Sequence, residues 1–362
     1  MNGECRKKQD PYLAAFLPAL ESIRKIVSDR LIALDLKKIR LPLGASETEP
    51  HVPIFISSDL ESKKRIIILF YEDGQDIGIF AHRIIGGKGG INEGSAINIV
   101  KYIQSLQING HDAPGIIIAN TGQLRWWRKG KKAITQVSWY ALHQKSAVDF
   151  PYRFDEIKNT IPENRTVAEH VSYIFNHVVS KLADPAAKLD IIGVSAGAVH
   201  VSHFLNNELN FDQWGCRINA FASMATYFNA DEITNARFGA FMRDRGRVYL
   251  VSDEPRDTFL AGPDGYRHIS AYGSLVFSLG EPYYTERLLP RGYKSVVDWI
   301  QDVAEDPEYV NPEFARYDDG TEEAGAVPDW GNEAFENRKS SEKGKVFELD
   351  DKDGDEDEDE DD

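Results

Sequence analysis

The sequence is poor in cysteine, in methionine and in long apolar runs. It has two cysteines, Cys5 and Cys216, and three methionines among 362 residues. Two cysteines so far apart exclude a cysteine-rich zinc module and are typical of a reducing compartment. The sequence has no run of about eighteen apolar residues, and its first residues contain no apolar signal segment. We therefore expect an intracellular protein, nuclear or cytoplasmic, that does not associate with membranes.

Negative charge is concentrated at one end of the chain. The formal net charge is −16, and residues 348–362 contain twelve carboxylates and one lysine, a local charge of −11. The rest carries only −5, and with 42% hydrophobic residues the chain can form a globular core. The acidic segment cannot bury enough apolar surface to offset its ordering entropy, so we expect a disordered tail. Such a tail either keeps the chain soluble or competes with DNA for basic histone surfaces.

The most informative stretch is residues 189–206. Residues 189–192 predict a short buried strand, residues 193–197 form the pattern G-x-S-x-G, and a mostly apolar helix follows. A strand, G-x-S-x-G and a helix in this order are the nucleophile elbow of α/β-hydrolases. The glycines Gly193 and Gly197 are expected because Ser195 takes strained backbone angles in so tight a turn, where neighbouring Cβ atoms would collide.

Strands and helices alternate along the rest of the chain. An amphipathic helix is predicted at residues 11–34, and a helix with Thr166 as N-cap is predicted from there to Leu182. Strands are predicted at residues 38–43, 53–56, 65–71, 115–119, 218–224, 247–252 and 274–278, and a closing helix at residues 293–303. This order predicts an α/β-hydrolase-like fold with a mostly parallel central sheet and helices on both faces.

Four segments follow from these patterns. Residues 1–40 hold the N-terminal amphipathic helix, and residues 41–306 form the α/β-hydrolase-like domain. Residues 307–347 are a polar, weakly ordered linker, and residues 348–362 are the disordered acidic tail.

A serine nucleophile needs a base and an acid that orients the base. The acid should follow the strand at residues 247–252, where Asp253 and Asp257 are both candidates. His268 is the only histidine later in the chain. A catalytic histidine is expected after the last core strand, but residues 279–286 contain none, so the sequence does not assemble a triad.

An oxyanion hole would use the loop after the strand at residues 65–71 and the N–H of Ala196. That loop contains Gly74 and Gln75, but it also contains carboxylates that would repel a developing oxyanion. The composition of the loop therefore counts against acyl transfer.

Several motifs together resemble the Argonaute-binding-protein-two domain. They are residues 120–124 (NTGQL), 164–171 (NRTVAEHV), 193–198 (GVSAGA), 252–258 (SDEPRDT) and 272–281 (YGSLVFSLGE). The resemblance covers residues 40–305. It implies an α/β-hydrolase-like fold used mainly for protein binding in heterochromatin and RNA silencing, in Argonaute-chaperone subunits, fungal class II histone deacetylases and animal cotranscriptional regulators. Ser195 matches an elbow serine that some members keep, whereas the histidine of animal members has no counterpart near Tyr283 and Tyr284.

A second candidate site combines basic and aromatic residues. Residues 125–132 contain five cations and two tryptophans, and the candidate partner-binding residues are Arg125, Trp126, Trp127, Arg128 and Lys129. Three interpretations stay open: a solvated hairpin tip whose tryptophans fold onto the core, an anchor for a protein partner, or a single-stranded RNA contact.

Two functions follow from these observations. The first is a non-catalytic protein-binding module that contacts histones or silencing-complex subunits, with nucleic acid as a weaker alternative. The second is an active serine hydrolase that cleaves an ester or acyl group, with Ser195 as nucleophile, Asp253 or Asp257 as acid and His268 as base. We expect no cofactor and no metal ion, because the sequence has neither a P-loop nor a cluster of metal ligands.

Overall fold

The computed structural model describes residues 11–106, 113–142 and 152–314. The predicted acidic tail and the predicted linker beyond residue 314 lie outside the described residues. No helix within these three ranges is long and apolar enough to cross a membrane.

Eleven strands are present in this part of the chain. Their bounds are β1 Leu36–Leu41, β2 Val52–Ser57, β3 Arg65–Phe70, β4 Gly115–Ile118, β5 Arg125–Trp127, β6 Lys132–Ile134, β7 Lys188–Val194, β8 Ile218–Met224, β9 Gly246–Leu250, β10 Phe259–Ala261 and β11 Leu275–Ser278.

The α-helices connect these strands and cover the sheet. Their bounds are α1 Pro11–Ile32, α2 His82–Ile85, α3 Gly90–Glu93, α4 Ile97–Gln104, α5 Gln136–Tyr140, α6 Val167–Tyr173, α7 Ser180–Leu182, α8 Ala196–Asn206, α9 Glu208–Trp214, α10 Ala236–Arg245 and α11 Leu288–Glu305. A π-helical segment, Ile174–Val179, joins α6 to α7, so the helix continues to Leu182 as the sequence predicts.

Nine strands form one sheet in the order β1-β2-β4-β3-β7-β8-β9-β11-β10. The six strands from β4 to β11 in this order are parallel, whereas β1, β2 and β10 pair antiparallel with their neighbours. Strands β5 and β6 form a separate antiparallel hairpin. The mostly parallel sheet confirms the predicted α/β-hydrolase-like fold. Parallel strands share a carboxyl edge, where loops from distant parts of the chain meet.

The sheet is buried on both faces, and this explains its apolar strands. Along β3, Ile66 and Ile68 belong to the core under α6, α8 and α10. Their neighbours Ile67 and Leu69 point to the other core, under α1, α4 and α11. Successive side chains of a strand alternate between faces, so a strand covered on both sides must be apolar throughout.

The ends of the described fold are held by specific contacts. Helix α1 places Val27 and Leu31, both almost fully buried, in the second core. Residues 307–314, which the sequence assigns to the linker, run past the last strands. There the Asn311 side chain donates hydrogen bonds to the carbonyls of Arg243 and Gly246, and Phe314 stacks on Phe259 at 4.6 Å.

Candidate functional site

The predicted nucleophile elbow is present at the carboxyl edge of the sheet. Strand β7 ends at Val194, helix α8 begins at Ala196, and Ser195 between them has φ 51° and ψ −122°. The backbone N–H of Ser195 donates to the carbonyl of Met224 at 2.8 Å, which ties the turn to β8. A positive φ with this ψ lies outside the small left-handed well open to L-residues, so the turn is strained.

The two glycines of the elbow are sterically required. A Cβ atom on Gly193 would lie 2.6 Å from Ala198 Cα. A Cβ atom on Gly197 would lie 2.4 Å from the carbonyl oxygen of Phe70 and 2.6 Å from that of Tyr71. The predicted collisions are therefore confirmed. They arise because α8 packs directly against the ends of β3 and β7, and this packing is independent of any chemistry at Ser195.

Ser195 itself is half-exposed and has few partners. Its Oγ makes no hydrogen bond to a described residue, and the N–H of Ala196, in the first turn of α8, is likewise without an acceptor among them. The N-terminal end of a helix carries partial positive charge. The turn thus offers one free N–H beside a hydroxyl.

The predicted acid and base are exposed in the loops that follow β9 and β10. His268 is exposed in the connection between β10 and β11, and Asp253 is exposed just after β9. Asp257 accepts a hydrogen bond from Ser295 Oγ at 2.9 Å. Across the part of the chain that the structure describes, no hydrogen bond joins any of these three residues to Ser195 or to one another.

Glu281 lies in the segment after β11, where a hydrolase of this fold would carry its histidine. Its side chain is fully buried, and Oε1 accepts hydrogen bonds from the N–H groups of Tyr283 and Tyr284, both at 3.2 Å. The other oxygen lies 2.7 Å from Nη1 of Arg291. Sequence reasoning missed this group, whose only signal is its position at the end of the motif at residues 272–281.

The loop after β3 is acidic but not uniformly charged. Burial raises the pKa of Glu72 to about 7; a hydrogen bond with Gln75 opposes this shift, and the charges of Glu286 and Asp73 add to it. The loop is tightly held, because a Cβ atom on Gly122 would lie 1.9 Å from the carbonyl oxygen of Gln75. Gly74 at its tip is exposed, and a Cβ atom added there would meet no other atom within 4 Å.

A buried histidine links two of the family-like motifs. His170 is fully buried; its Nε2 accepts the N–H of Asn120 at 3.0 Å, and its Nδ1 lies 2.7 Å from Asn164 Oδ1. This arrangement requires a neutral ring with the proton on Nδ1. Burial lowers the pKa of His170 to about 3. The histidine therefore positions two loops and does not act as a base.

The same network continues to helix α1. Gln123 accepts from Asn120 Nδ2 at 3.1 Å and donates to Asp76 Oδ1 at 2.9 Å. The second oxygen of Asp76, which is buried, accepts from Arg24 Nε of α1 at 2.8 Å. The motif at residues 120–124 thus fastens the loop after β3 to the N-terminal helix.

The basic and aromatic segment forms the β5–β6 hairpin. Trp126 is 3% exposed and belongs to the core, whereas Trp127 is half-buried. Gly130 lies against the Trp127 ring, because a Cβ atom there would be 2.0 Å from the ring. Arg128 and Lys129 are exposed at the turn. The predicted hairpin with a tryptophan folded onto the core is therefore present, and its role in partner binding stays a prediction.

Two cavities open on this side of the fold. One of about 490 Å³ lies between α1 and β1 and is lined by charged residues, including Arg24, Lys38 and Asp76. The other, of about 640 Å³, lies beside the hairpin and includes Arg125 and Phe154. Ser195 lines neither cavity. Within residues 11–106, 113–142 and 152–314, no three histidine, cysteine or carboxylate side chains are grouped to hold a metal ion.

These features define a protein with an α/β-hydrolase-like fold and a nucleophile elbow whose serine forms no hydrogen bond with a histidine of the described residues. The family model of the Arb2 domain matches residues 6–256, which is more than half of the chain. The chain belongs to the Arb2 domain family, and the resemblance to the Argonaute-binding-protein-two domain is confirmed.

Comparison with other proteins gives distant structural similarities. No curated protein matches the sequence. The structure is similar to the histone deacetylase Clr3 with 10% identity and a TM-score of 0.41, over 84% of this chain and 40% of that one. It is also similar to an arylesterase with 10% identity and a TM-score of 0.32, over 81% of this chain and 98% of that one. A bacterial heroin esterase matches with 14% identity and a TM-score of 0.27, over 81% of this chain and 84% of that one. The chain thus spans less than half the length of Clr3.

Proposed function

We propose that this chain is a non-catalytic, α/β-hydrolase-like protein-binding module of chromatin or RNA-silencing complexes, and that it acts in the nucleus. Its membership of the Arb2 domain family supports the association with silencing. The proposed partners are histones or subunits of silencing complexes.

The observation that carries the non-catalytic part of the proposal concerns the segment after β11. Glu281 occupies it: one oxygen accepts hydrogen bonds from two backbone N–H groups, and the other, which has no hydrogen-bond partner among the described residues, lies at ion-pair distance from Arg291. The Glu281 side chain is 1% exposed and that of Arg291 is 38% exposed, so loss of Arg291 would leave a buried carboxylate without its nearest counter-charge, which is unfavourable. Glu281 is therefore committed to holding its own loop and does not serve Ser195 as a base.

The survival of the elbow does not argue against this proposal. Gly193 and Gly197 are needed wherever α8 packs this closely on β3 and β7, whether or not Ser195 reacts. A chain that lost catalysis would still retain these two glycines to keep its fold.

An active serine hydrolase is the alternative, and one observation favours it. Strands β3 and β7 are parallel, and the last residues that pair between them are Phe70 and Gly193. Glu72 follows Phe70 by two residues and Ser195 follows Gly193 by two residues, so both lie just beyond the same end of the two strands. A carboxyl group with a pKa near 7 at this position is suited to accept a proton from a hydroxyl. In this alternative Glu72 replaces the predicted pair of His268 with Asp253 or Asp257.

Labelling with a fluorophosphonate probe separates the two functions. The wild-type protein, the Ser195→Ala variant and the Glu72→Gln variant are incubated with the probe at pH 7 and at pH 8.5. We expect no labelling of the wild type beyond that of Ser195→Ala. Labelling that disappears in Ser195→Ala would overturn the non-catalytic proposal, and its loss in Glu72→Gln would identify the base.

The binding function is tested with purified partners. Immobilised full-length protein is incubated with histone octamers and with purified Argonaute-complex subunits, and the Ser195→Ala variant is run alongside it. Retention of a partner equally by both forms is the expected result. Failure of the folded protein to retain any of these partners would contradict the proposed association.

A further inference from the structure

Most of the cations of the β5–β6 hairpin form no ion pair with a described residue, although the carboxylates Asp73, Glu156 and Glu169 line the same cavity as Arg125. Arg125, Arg128, Lys129 and Lys131 form no ion pair within 4 Å with any residue that the structure describes, although the fifth cation, Lys132, pairs with Glu21 of α1. The remainder of the chain outside the acidic tail has a net charge of −5. Four cations that have no ion pair among the described residues lie on one hairpin of an acidic body, so they are a local feature and not a consequence of overall composition.

Aromatic rings hold two of these cations in place. The Arg125 guanidinium lies 4.6 Å from the ring centre of Phe154 and 5.6 Å from that of Tyr140. The Lys129 ammonium lies 5.9 Å from the ring centre of Tyr152. Contacts of this kind fix a cation without neutralising it. The side chains are thus oriented before any partner arrives, which lowers the ordering entropy lost on binding.

Exposed apolar side chains surround Arg125. Tyr140 is 62% exposed and Ile157 is 88% exposed. The cavity of about 640 Å³ beside them has an apolar wall of Leu124, Phe154, Ile157 and Val167, and its other walls are polar and include Arg125, Arg165, Asp73, Glu156 and Glu169. A partner that pairs with the cations can therefore also place an apolar side chain in the adjoining cavity.

We propose that this surface, formed by Arg125, Arg128, Lys129 and Lys131 with the neighbouring cavity, binds an extended acidic segment of a partner protein. The segment's carboxylates pair with the four cations, and one of its apolar side chains enters the cavity. This inference rests on the proposed protein-binding function and names the chemistry of the partner.

The geometry favours an acidic peptide over single-stranded RNA. Sequence-tolerant binding of RNA depends on free aromatic faces on which bases stack. On this hairpin, the Arg125 guanidinium already lies over the Phe154 ring and the Lys129 ammonium over the Tyr152 ring. The Trp127 ring is in contact with Gly130, and its centre lies 5.7 Å from Lys132 Nζ. Carboxylates can approach the cations from outside without displacing these contacts, whereas stacking bases would have to displace them.

The test measures fluorescence anisotropy of a labelled Asp/Glu-rich peptide that carries one leucine, titrated with the full-length protein. Oligouridine of equal charge is the second probe, and each titration is repeated at low and at physiological salt. The variant replaces the exposed turn cations Arg128, Lys129 and Lys131 by glutamine. A matched control replaces three other exposed lysines, Lys88, Lys101 and Lys181, in the same way.

We expect the peptide to bind more tightly than oligouridine. Each exposed ion pair changes affinity by roughly twofold to fivefold, so the triple hairpin variant should bind the peptide more weakly by about eightfold or more, whereas the control variant should not. Removing the leucine should also weaken binding. Equal losses in the two variants, or tighter binding of oligouridine, would overturn the proposal.

Failure here is distinguishable from failure of the proposed function. Ser195-dependent labelling would refute the non-catalytic role and leave the acidic-peptide result unchanged. Unaltered peptide binding by the hairpin variant would refute this surface, while retention of histones or silencing subunits by the wild type would still support the broader function.

Discussion

Replacing Ser195 by glycine should stabilise the protein. Ser195 sits at φ 51° and ψ −122°, a conformation that is unfavourable for a residue with a Cβ atom and open to glycine. Its hydroxyl contributes little in return, because Oγ has no hydrogen-bond partner among the described residues. The elbow therefore stores strain that no observed contact of the serine side chain offsets.

The size of the effect follows from two opposing contributions. A non-glycine residue in such a region costs about 1–3 kcal/mol. Glycine also gives the unfolded chain more conformational freedom, which opposes the gain by roughly 0.5–1 kcal/mol. We expect Ser195→Gly to raise the free energy of unfolding by about 1 kcal/mol, within limits of about 0 and 2.5 kcal/mol set by these two contributions. Ser195→Ala keeps the Cβ atom and removes only the hydroxyl, so it should change stability by less than about 0.5 kcal/mol.

Urea unfolding followed by tryptophan fluorescence and by circular dichroism measures this difference. At a constant denaturant slope, the midpoint should move to higher urea for Ser195→Gly and stay in place for Ser195→Ala. Thermal unfolding should show the same order, with a shift of about 2 °C per kcal/mol for a domain of this size. If glycine is no more stabilising than alanine, the serine backbone is not strained and the reasoning is wrong.

Two further predictions concern packing and pH. Gly197→Ala places a Cβ atom 2.4 Å from the carbonyl oxygen of Phe70. In urea titrations this variant should show a free energy of unfolding lower by about 1–3 kcal/mol or more. Gly74→Ala is the control and should be neutral, because a Cβ atom at residue 74 meets open space. His170 is neutral in the folded state because its pKa is about 3, whereas the ring titrates near 6.5 when unfolded. Between these two pKa values the unfolded state binds more protons than the folded state. The free energy of unfolding should therefore fall on acidification from about pH 6.5 towards pH 3, by up to about 1.4 kcal/mol per pH unit. The His170→Gln variant should lack this contribution. A pH dependence unchanged in His170→Gln would contradict the neutral, buried assignment.

The sheet and the elbow were predictable because both depend on local patterns. A strand buried on two faces must be apolar at every position, which the run at residues 66–70 satisfies, and Ile66 and Ile67 do point into different cores. The elbow needs two glycines around one serine, and the Cβ distances at Gly193 and Gly197 show why. Neither inference required knowledge of distant contacts.

The electrostatics of the site could not be predicted in this way. The raised pKa of Glu72 depends on burial and on Glu286, which reaches the same edge from the other end of the domain. The engagement of Glu281 depends on Arg291, one helix later. Sequence spacing identifies which loops meet at the carboxyl edge, but the distances between their charges are set only when the sheet has formed.

The positions of the family-like motifs indicate what they preserve. Asn120 and Gln123 of one motif and Asn164 and His170 of another form a buried network that joins the loops at the carboxyl edge. A buried polar group that loses its partner costs roughly 1–3 kcal/mol, so such residues resist substitution for reasons of stability alone. The same holds for Gly193 and Gly197, whose side-chain positions are filled by backbone. Each of these residues therefore has a structural reason to persist. Their presence is compatible with a chain in which the hydrolase-like framework is a rigid support, and in which binding surfaces such as the β5–β6 hairpin lie at its periphery.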